Sequence, residues 1–353
     1  MFAYVGSRTT KERNAKGDGI NVYQIEPSNG HWHHRQLVGE LVNPSFLALA
    51  PNGRFLYAVH GDQSEVSAFA IAADSGRLSW LNTQASGGNN PVHLTITPDG
   101  KLLIIANYAS GNIVALPIAQ DGSLGRPAET LGLTGTAGPH RHQQAASHPH
   151  QAQFDPVHAF VVVPDKGVDR IFSLRCDRQG GSLQLAVAAS VATRDGAGPR
   201  HIAFHPEGNF AFAANELDST ITTYAYDRDT GKLSALQIVP SVADRHIGNN
   251  TAAEIAVSGD GRFVYCSNRG ADTIGVFFFD QQLAELRALE WVPSLGAGPR
   301  FFTLSPDGAF LYAANEHGHT VTVFSVHRST GRLCPTGQTI AVGSPVCIVF
   351  SAD

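Results

Sequence analysis

The stretch GAGPRHIAFHPEGNFAFAANE, residues 196 to 216, contains most of the information about the fold. It holds two short apolar runs, HIAFH and FAFAA, on either side of a Pro-Glu-Gly turn. Both runs are too short for helices and rich in residues typical of strands, so the stretch predicts a β-hairpin. It returns almost unchanged as GAGPRFFTLSPDGAFLYAANE, residues 296 to 316. The hairpin is therefore part of a repeat.

Related turns recur along the whole chain at intervals that cluster near fifty residues. They lie at residues 51–53, 98–100, 206–208, 259–261 and 306–308, with Asp155-Pro156-Val157 as a degenerate member. Each hairpin is followed by a third apolar run such as TIGVFFFD, then by a second turn such as DTGKL and a looser fourth strand. Four strands per repeat, without helices between them, are typical of the blades of a β-propeller.

Six blades are visible directly, and a seventh can be assembled from both ends of the chain. GSPVCIVFS at 343 to 351 resembles another first strand, and the N-terminal FAYVGS and GINVYQI supply the strands that follow it. Such a split blade closes the ring and removes exposed edge strands. We therefore predict an all-β fold, a seven-bladed β-propeller of four antiparallel strands per blade that occupies residues 1–353 as a single domain. Its main insertion is the His-rich segment 136–151.

Composition excludes several classes of partner. The 353 residues carry a formal net charge of −5 without a basic cluster, so no nucleic-acid partner is expected. No run of eighteen apolar residues and no apolar leader are present, and the four cysteines show no CxxC spacing. We expect a cytoplasmic protein with no membrane partner and without a zinc site or a disulfide framework. Its oligomeric state is left open.

The hairpins also predict where polar side chains meet. Arg200 lies eight residues before the turn glycine Gly208, and Glu216 lies eight residues after it. Residues equally far from the turn of an antiparallel hairpin lie side by side, and the first strand of a blade is the innermost. The pair should therefore lie at the mouth of the axial channel. The same offset in the other blades returns Val92 with Tyr108, His150 with Lys166, Ala253 with Arg269, and Arg300 with Glu316.

The polar members of these pairs fall on consecutive blades. They predict an arc of ionisable groups around one end of the channel, made of His150, Lys166, Arg200, Glu216, Arg269, Arg300 and Glu316. A mostly cationic cluster in a low-dielectric funnel is costly unless it meets an anion, which favours a carboxylate, a phosphate or a developing oxyanion as the guest. For Arg300 and Glu316, a strut between blades explains the pair equally well.

Sixteen histidines raise the question of a metal site. Seven of them fall into two groups, one at His31, His33 and His34 and one at His140, His142, His148 and His150. Neither group shows an HExxH helix or a paired-cysteine pattern, so no metal is predicted. His150 is the histidine that the strand offset places at the rim, with His148 as a rival two residues away. His201 is expected to turn away from Arg200.

Several segments carry a resemblance to a known family. GAGPRHIAFHPEGNFAFAANELDSTI, HPHQAQFDP and AEIAVSGDGRFVYCSNRGADTIGVF resemble the propeller-type lactonases, which include bacterial 6-phosphogluconolactonase and the fungal carboxy-cis,cis-muconate lactonising enzyme. The likeness runs over nearly the whole chain. It implies a site at one channel mouth formed by His150, Arg200, Glu216 and Arg269, with no cofactor.

The resemblance implies hydrolysis of a small anionic lactone, such as 6-phosphogluconolactone to its aldonic acid in the pentose phosphate pathway. Glu216 or His150 would take a proton from water, and Arg200 with Arg269 would hold the oxyanion or the anionic tail. Further contacts to the substrate would come from Tyr108, His148, Lys166, Arg300 and Glu316. A muconate-type cycloisomerase that binds a carboxylate is one alternative. A non-catalytic binding platform is another, although such a face more often shows exposed aromatic anchors.

Overall fold

Seven four-stranded antiparallel sheets form the described part of the protein, which covers residues 1–26, 30–179 and 182–351 of a computed structural model. Blade 1 contains β1 (Phe2–Ser7), β2 (Ile20–Ile25), β3 (Trp32–Val38) and β28 (Pro345–Phe350). Blades 2 and 3 contain β4 (Pro44–Leu49), β5 (Phe55–His60), β6 (Glu65–Ile71), β7 (Leu78–Ala85), β8 (Pro91–Ile96), β9 (Leu102–Asn107), β10 (Asn112–Pro117) and β11 (Glu129–Gly132).

The remaining four blades follow in chain order. Blades 4 and 5 contain β12 (Gln153–Phe154), β13 (Val161–Asp165), β14 (Arg170–Gln179), β15 (Ser182–Ala192), β16 (Pro199–Phe204), β17 (Phe210–Asn215), β18 (Thr220–Asp227) and β19 (Lys232–Pro240). Blades 6 and 7 contain β20 (Thr251–Val257), β21 (Phe263–Arg269), β22 (Thr273–Asp280), β23 (Glu285–Pro293), β24 (Pro299–Leu304), β25 (Phe310–Asn315), β26 (Thr320–Val326) and β27 (Leu333–Ala341). The helical content of the described ranges is one 3₁₀ turn at Lys11–Arg13, and no helix within them is long and apolar enough to cross a membrane.

The predicted seven-bladed propeller is confirmed, including the blade shared by both ends of the chain. In blade 1 the strand order is β28-β1-β2-β3, so the last strand of the chain is the inner strand of the first blade. β1 pairs with it from Ala3 opposite Phe350 to Ser7 opposite Pro345. The degenerate turn of blade 4 also forms, with His158 in the left-handed conformation (φ 56°) where the other turns use glycine.

The core lies between blades, in seven apolar clusters that each join two neighbours. Strand β9 contributes side chains to two of these clusters. Leu103 and Ile105 pack against blade 2, while Leu102 and Ile104 pack towards blade 4. Because side chains alternate along a strand and both faces are buried, the second strand of each blade is continuously apolar. Each such side chain contributes about 1.5–3 kcal/mol through burial.

The inner strands carry a β-bulge near the channel mouth. In β16, Pro199 lies opposite Asn215 and His201 opposite Ala214, so Arg200 is an extra residue without a cross-strand partner. A bulge bends the strand and re-aims its side chains. The same break follows the first proline of β4, β8 and β24, where the extra residues are Ser45, Val92 and Arg300.

The observed register differs from the predicted one. Glu216 N–H donates to the carbonyl of Gly198 at 2.8 Å, and Lys166 N–H donates to that of His148 at 3.1 Å. The prediction that Arg200 lies directly beside Glu216 is therefore wrong by two residues. The hairpin is centred between Glu207 and Gly208 instead of on Gly208, which shifts the pairing by one residue. The bulge at Arg200 shifts it by one more. In blade 6 the residue opposite Arg269 is likewise Thr251, not Ala253. The shift leaves each pair at the same end of its sheet.

Candidate active site

Glu216 lies at the centre of a cluster of positive charges contributed by three blades. Its Oε1 is 3.0 Å from Lys166 Nζ of blade 4, and its Oε2 is 3.1 Å from Arg200 Nε of blade 5 and 3.2 Å from Arg269 Nη2 of blade 6. The glutamate is 8% exposed. Burial alone would raise its pKa, but the charges of Arg269, Lys166, Arg200 and Arg300 together hold the pKa of Glu216 well below its ordinary value. It is therefore ionised and weakly basic at neutral pH.

Both arginines that contact Glu216 are held by backbone carbonyls of β20. Arg200 Nη1 donates to Ala253 O at 2.7 Å, and Arg269 Nη2 donates to Ala252 O at 3.2 Å. The Nε of Arg200, although close to Glu216, makes no aligned hydrogen bond. Burial, followed by repulsion from Arg300 and Arg269, lowers the pKa of Arg200 to about 9. The two guanidinium groups are therefore fixed in position, and the Nε donor of each lacks a hydrogen-bond partner.

His150 is buried beside this cluster and is neutral. Its backbone N–H is bonded to Pro164 O at 3.0 Å, while its ring Nδ1 has no hydrogen-bond partner in the protein. Burial, and then the charge of Arg200, lower the pKa of His150 well below 6.5. Its ring centroid lies 5.6 Å from that of Tyr108. A neutral imidazole with an unpaired ring nitrogen can accept a proton.

A cavity of about 320 Å³ opens above these groups at the channel mouth. Of the residues predicted from the sequence, those that line it are Tyr108, His150, Lys166, Glu216, Arg269 and Arg300. Its size is at the lower end of the range for small-molecule sites. The cavity therefore suits a small guest, and the excess of basic groups suits an anion.

Three other predicted residues lie outside the cavity lining. Arg200 lies beneath it, at a neck of about 10 Å³. His148 stacks behind Tyr108 at 4.5 Å between ring centroids, and its Nδ1 is 2.8 Å from Tyr108 O, so it supports the tyrosine. Glu316 lies 3.9 Å from Arg300 Nε, a long ion pair at the outer rim.

The sequence reasoning missed two arginines that line the same cavity, Arg8 and Arg13. They follow β1, in the blade whose hairpin is split between the two ends of the chain, so the repeat gave no offset to find them. It also left segment 136–151 without a role. Gln143 of that segment accepts a hydrogen bond from Lys166 Nζ at 2.9 Å, and Gln144 donates to Lys166 O at 2.9 Å. The insertion therefore fixes the lysine.

Below the neck lies a second unpredicted pair. His201 Nδ1 is 3.0 Å from both carboxylate oxygens of Glu254, and its Nε2 has no partner in the protein. Burial raises the pKa of Glu254 to about 8 and lowers that of His201 well below 6.5. The expectation that His201 turns away is wrong, because the bulge leaves both Arg200 and His201 at the neck. On the far side, Glu254 lines a cavity of about 740 Å³.

The histidine group at residues 31–34 lies outside the site. His33 and His34 are exposed on the outer strand β3, and His31 precedes it, also exposed. Within the ranges that the structure describes, no group of three or more His, Cys, Asp or Glu side chains is arranged to hold a metal ion.

Comparison with known proteins identifies the family. The family model described as "Lactonase, 7-bladed beta-propeller" matches residues 2–350. The chain belongs to the seven-bladed β-propeller lactonases. Among members of this lactonase family, a 6-phosphogluconolactonase from Bacillus subtilis is 34% identical over 352 residues, covering 99% of each chain. The solved structure of a periplasmic gluconolactonase from Pseudomonas aeruginosa superposes with a TM-score of 0.89 at 29% identity, covering 99% of each chain. The resemblance stated from the sequence is thus confirmed.

Proposed function

We propose that this lactonase-family protein hydrolyses a sugar lactone, with a phosphorylated lactone such as 6-phosphogluconolactone as the preferred substrate, without a metal. The support is a neutral His150 that lines a cavity together with the ionised Glu216 and its basic neighbours, and whose buried ring Nδ1 has no hydrogen-bond partner in the protein. Relatives named 6-phosphogluconolactonase from Bacillus subtilis and Formosa agariphila, the latter 30% identical over 346 residues, support the substrate class. A cytoplasmic location and a place in the pentose phosphate pathway stay predictions.

His150 is the better candidate for the general base. The carboxylate of Glu216 contacts three cations, which lowers its basicity. Nδ1 of His150, by contrast, has no hydrogen-bond partner in the protein. In our proposal Glu216 positions Lys166, Arg200 and Arg269, and does not take the proton itself. The sequence alone left these two residues as equal alternatives.

The proposed reaction has two steps. Water adds to the lactone carbonyl carbon as His150 accepts its proton, and the oxyanion that forms is stabilised by the Arg269 and Lys166 cations. The tetrahedral intermediate then collapses, the ring C–O bond breaks, and His150 returns the proton to the departing ring oxygen, which becomes a hydroxyl group. The acid product ionises at neutral pH. Arg269 is already held by the Ala252 carbonyl and Lys166 by the Gln143 side chain, so both groups need little reorganisation for this chemistry.

Acid release from 6-phosphogluconolactone, followed with a pH indicator near pH 6.5 to limit spontaneous hydrolysis, tests the proposal. His150→Gln should lower kcat by about 10²–10⁴-fold because the general base is lost. In the wild type the acidic limb of the rate profile should lie below pH 6.5, since the lowered pKa of His150 keeps its ring neutral to a more acidic pH than that of an ordinary histidine. The matched control is His142→Gln, at an exposed position of the same insertion.

Two outcomes would contradict the proposal. If lactones are not hydrolysed but the ultraviolet absorbance of a muconate substrate disappears, the site is that of a lactonising enzyme. If neither substrate class reacts and the Glu216→Gln and Arg200→Ala variants still bind a protein partner normally, the binding-platform alternative gains support. Full activity in His150→Gln would remove the histidine from the mechanism.

A further inference from the structure

We propose that Arg8, Arg13 and Arg300 form a subsite for the phosphate group of the substrate, on the side of the mouth opposite Glu216. This inference rests on the proposed function and specifies its substrate class. All three residues line the 320 Å³ cavity. They come from blades 1 and 7, whereas the groups around Glu216 come from blades 4, 5 and 6.

Arg8 is the buried member of this subsite. Its side chain is 4% exposed, and Nη1 lies 3.4 Å from Asp62 Oδ2. The Nε atom of Arg8 is buried without a hydrogen-bond partner in the protein. A buried donor without an acceptor costs free energy unless a ligand or a water supplies one. Arg8 lines both the cavity and the neck, so its guanidinium reaches the inner end of the bound molecule.

Arg13 is the exposed member, with 45% of its side chain accessible. Its Nε donates to Asp62 Oδ2 at 2.8 Å, and its Nη2 contacts Asp62 Oδ1. Asp62 therefore orients two guanidinium groups at once. The backbone N–H of Asp62 donates to Asn90 Oδ1 at 2.8 Å, which fixes the anchor to the neighbouring blade.

Arg300 completes the group and is only loosely paired. Its Nε lies 3.9 Å from Glu316 Oε2, the longest contact among the ion pairs of the mouth. The charges of Arg8 and Arg300 influence each other, since Arg300 follows burial among the causes that lower the pKa of Arg8 to about 10. The Arg8 guanidinium nevertheless stays charged at neutral pH. The two guanidinium groups repel each other in the absence of an anion between them.

The charge balance of the mouth indicates a multiply charged guest. Six cations, Arg8, Arg13, Lys166, Arg200, Arg269 and Arg300, face three carboxylates, Asp62, Glu216 and Glu316, which leaves an excess of three positive charges. Three of the cations are already engaged by Glu216. The other three, Arg8, Arg13 and Arg300, share Asp62 and Glu316. The overall excess of three charges therefore matches a phosphate dianion together with the oxyanion that forms on the lactone. Guanidinium groups also offer paired N–H donors that fit phosphate oxygens better than a lysine would.

Binding of the ring-opened products tests this subsite without turnover. In titration calorimetry at low salt, 6-phosphogluconate should bind the wild type at least tenfold more tightly than gluconate, because charge-assisted hydrogen bonds to the phosphate are lost with gluconate. Arg13→Gln should reduce this ratio about threefold and Arg8→Met about tenfold or more. Both changes should reduce the affinity for gluconate much less, because gluconate has no phosphate group for these arginines to bind. Arg126→Gln, at an exposed arginine outside the mouth, is the matched control.

A second variant keeps the subsite testable if Arg8→Met fails to fold. Gly61 has no side chain, and a Cβ there would lie 2.3 Å from Arg8 Nη1 and 2.6 Å from Ser45 Oγ. Gly61→Ala should therefore displace the Arg8 guanidinium while all charges are kept. It should lower the phosphate preference in the same direction, and inorganic phosphate should compete less well with 6-phosphogluconate than in the wild type.

Equal affinity of the wild type for the two products, or a parallel loss of both in the variants, would overturn the subsite. Such a result leaves the lactonase proposal intact if both lactones are still hydrolysed. Conversely, a phosphate preference that depends on Arg8 and Arg13, without hydrolysis of either lactone, keeps the subsite and rejects the proposed reaction.

Discussion

Single residues in the channel owe their protonation states to their immediate neighbours. Glu216 and Glu254 are both buried glutamates, yet their pKa values move in opposite directions. Three cations contact the carboxylate of Glu216 within 3.2 Å, whereas Glu254 contacts the neutral ring of His201. Charge compensation therefore outweighs desolvation at the first site, and desolvation outweighs distant charges at the second.

The Glu254–His201 pair makes a prediction about stability. The folded-state pKa of Glu254 is raised to about 8 from an ordinary 4.5, so the folded state keeps a proton that the unfolded state has lost. The free energy of unfolding should thus fall as the pH rises towards 8, by up to about 1.4 kcal/mol per pH unit, and level off above it. Below about pH 6.5 the unfolded state binds a proton on His201 that the folded state does not, which opposes this trend, so the Glu254 effect is isolated only above about pH 7.

Glu254→Gln removes that titration and keeps a donor for His201. Melting temperatures of the wild type and the variant, measured from pH 7 to 9, should converge or cross as the pH rises. Glu40→Gln, at an exposed position, is the control and should follow the wild type. Parallel curves for the wild type and Glu254→Gln would show that Glu254 is ionised throughout.

At the scale of elements, the loops that precede the inner strands β16 and β24 are each tied to the blade before them by an aspartate. Asp169, which follows β13, accepts hydrogen bonds from Gly196 N at 2.6 Å and from Gly198 N at 2.7 Å. Asp272 repeats this contact with Gly298 N at 2.8 Å. These loops deliver the bulge residues Arg200 and Arg300, so the aspartates position the arginines of the mouth.

Asp169→Ala should therefore affect both stability and activity. Two backbone donors lose a charged acceptor, which should lower the free energy of unfolding by about 2–4 kcal/mol. kcat/KM should fall as well, because the loop no longer fixes Arg200. Asp169→Asn should be milder, since asparagine keeps an acceptor and tolerates the left-handed backbone at this position (φ 46°). Denaturant unfolding measures the effect on stability, and lactone hydrolysis measures the effect on activity. The control is Asp195→Ala, at an exposed residue of the same loop, which should change neither.

The elements also show how far the sequence could predict this site. Arg200 and Glu216 recur at fixed distances from a turn, so their shared rim was predictable from spacing alone. The bulge was not, because a single unpaired residue leaves no mark in the apolar pattern, and this hid the inward position of His201. Arg8 was hidden for another reason. It lies beyond the end of β1, and only closure of the ring brings it to the mouth.

At the scale of the whole molecule, ring closure depends on β28. This strand pairs with β1, and its Cys347 and Ile348 belong to the apolar clusters on either side of blade 1. The two ends of the chain also meet, since Phe2 N donates to Ser351 Oγ at 2.8 Å and Ser351 N donates to Phe2 O at 2.9 Å.

Removal of residues 344–353 should open the ring and abolish cooperative thermal unfolding, because two interblade clusters lose the side chains of β28. The matched variant is a circular permutant that joins residue 353 to residue 1 with a short Gly-Ser linker and begins at Ile247, which is 94% exposed. It keeps every strand and should retain a sharp melting transition by calorimetry. A stable, cooperative truncation would show that six and three-quarter blades suffice.

The neck of about 10 Å³ between the two cavities has a consequence for turnover. A sugar acid is far larger than this gap, which is near the minimum size for one water molecule. Entrance and exit are therefore one and the same opening. Each sugar-acid product must leave past the arginines that attract the next lactone, so accumulating product should inhibit turnover.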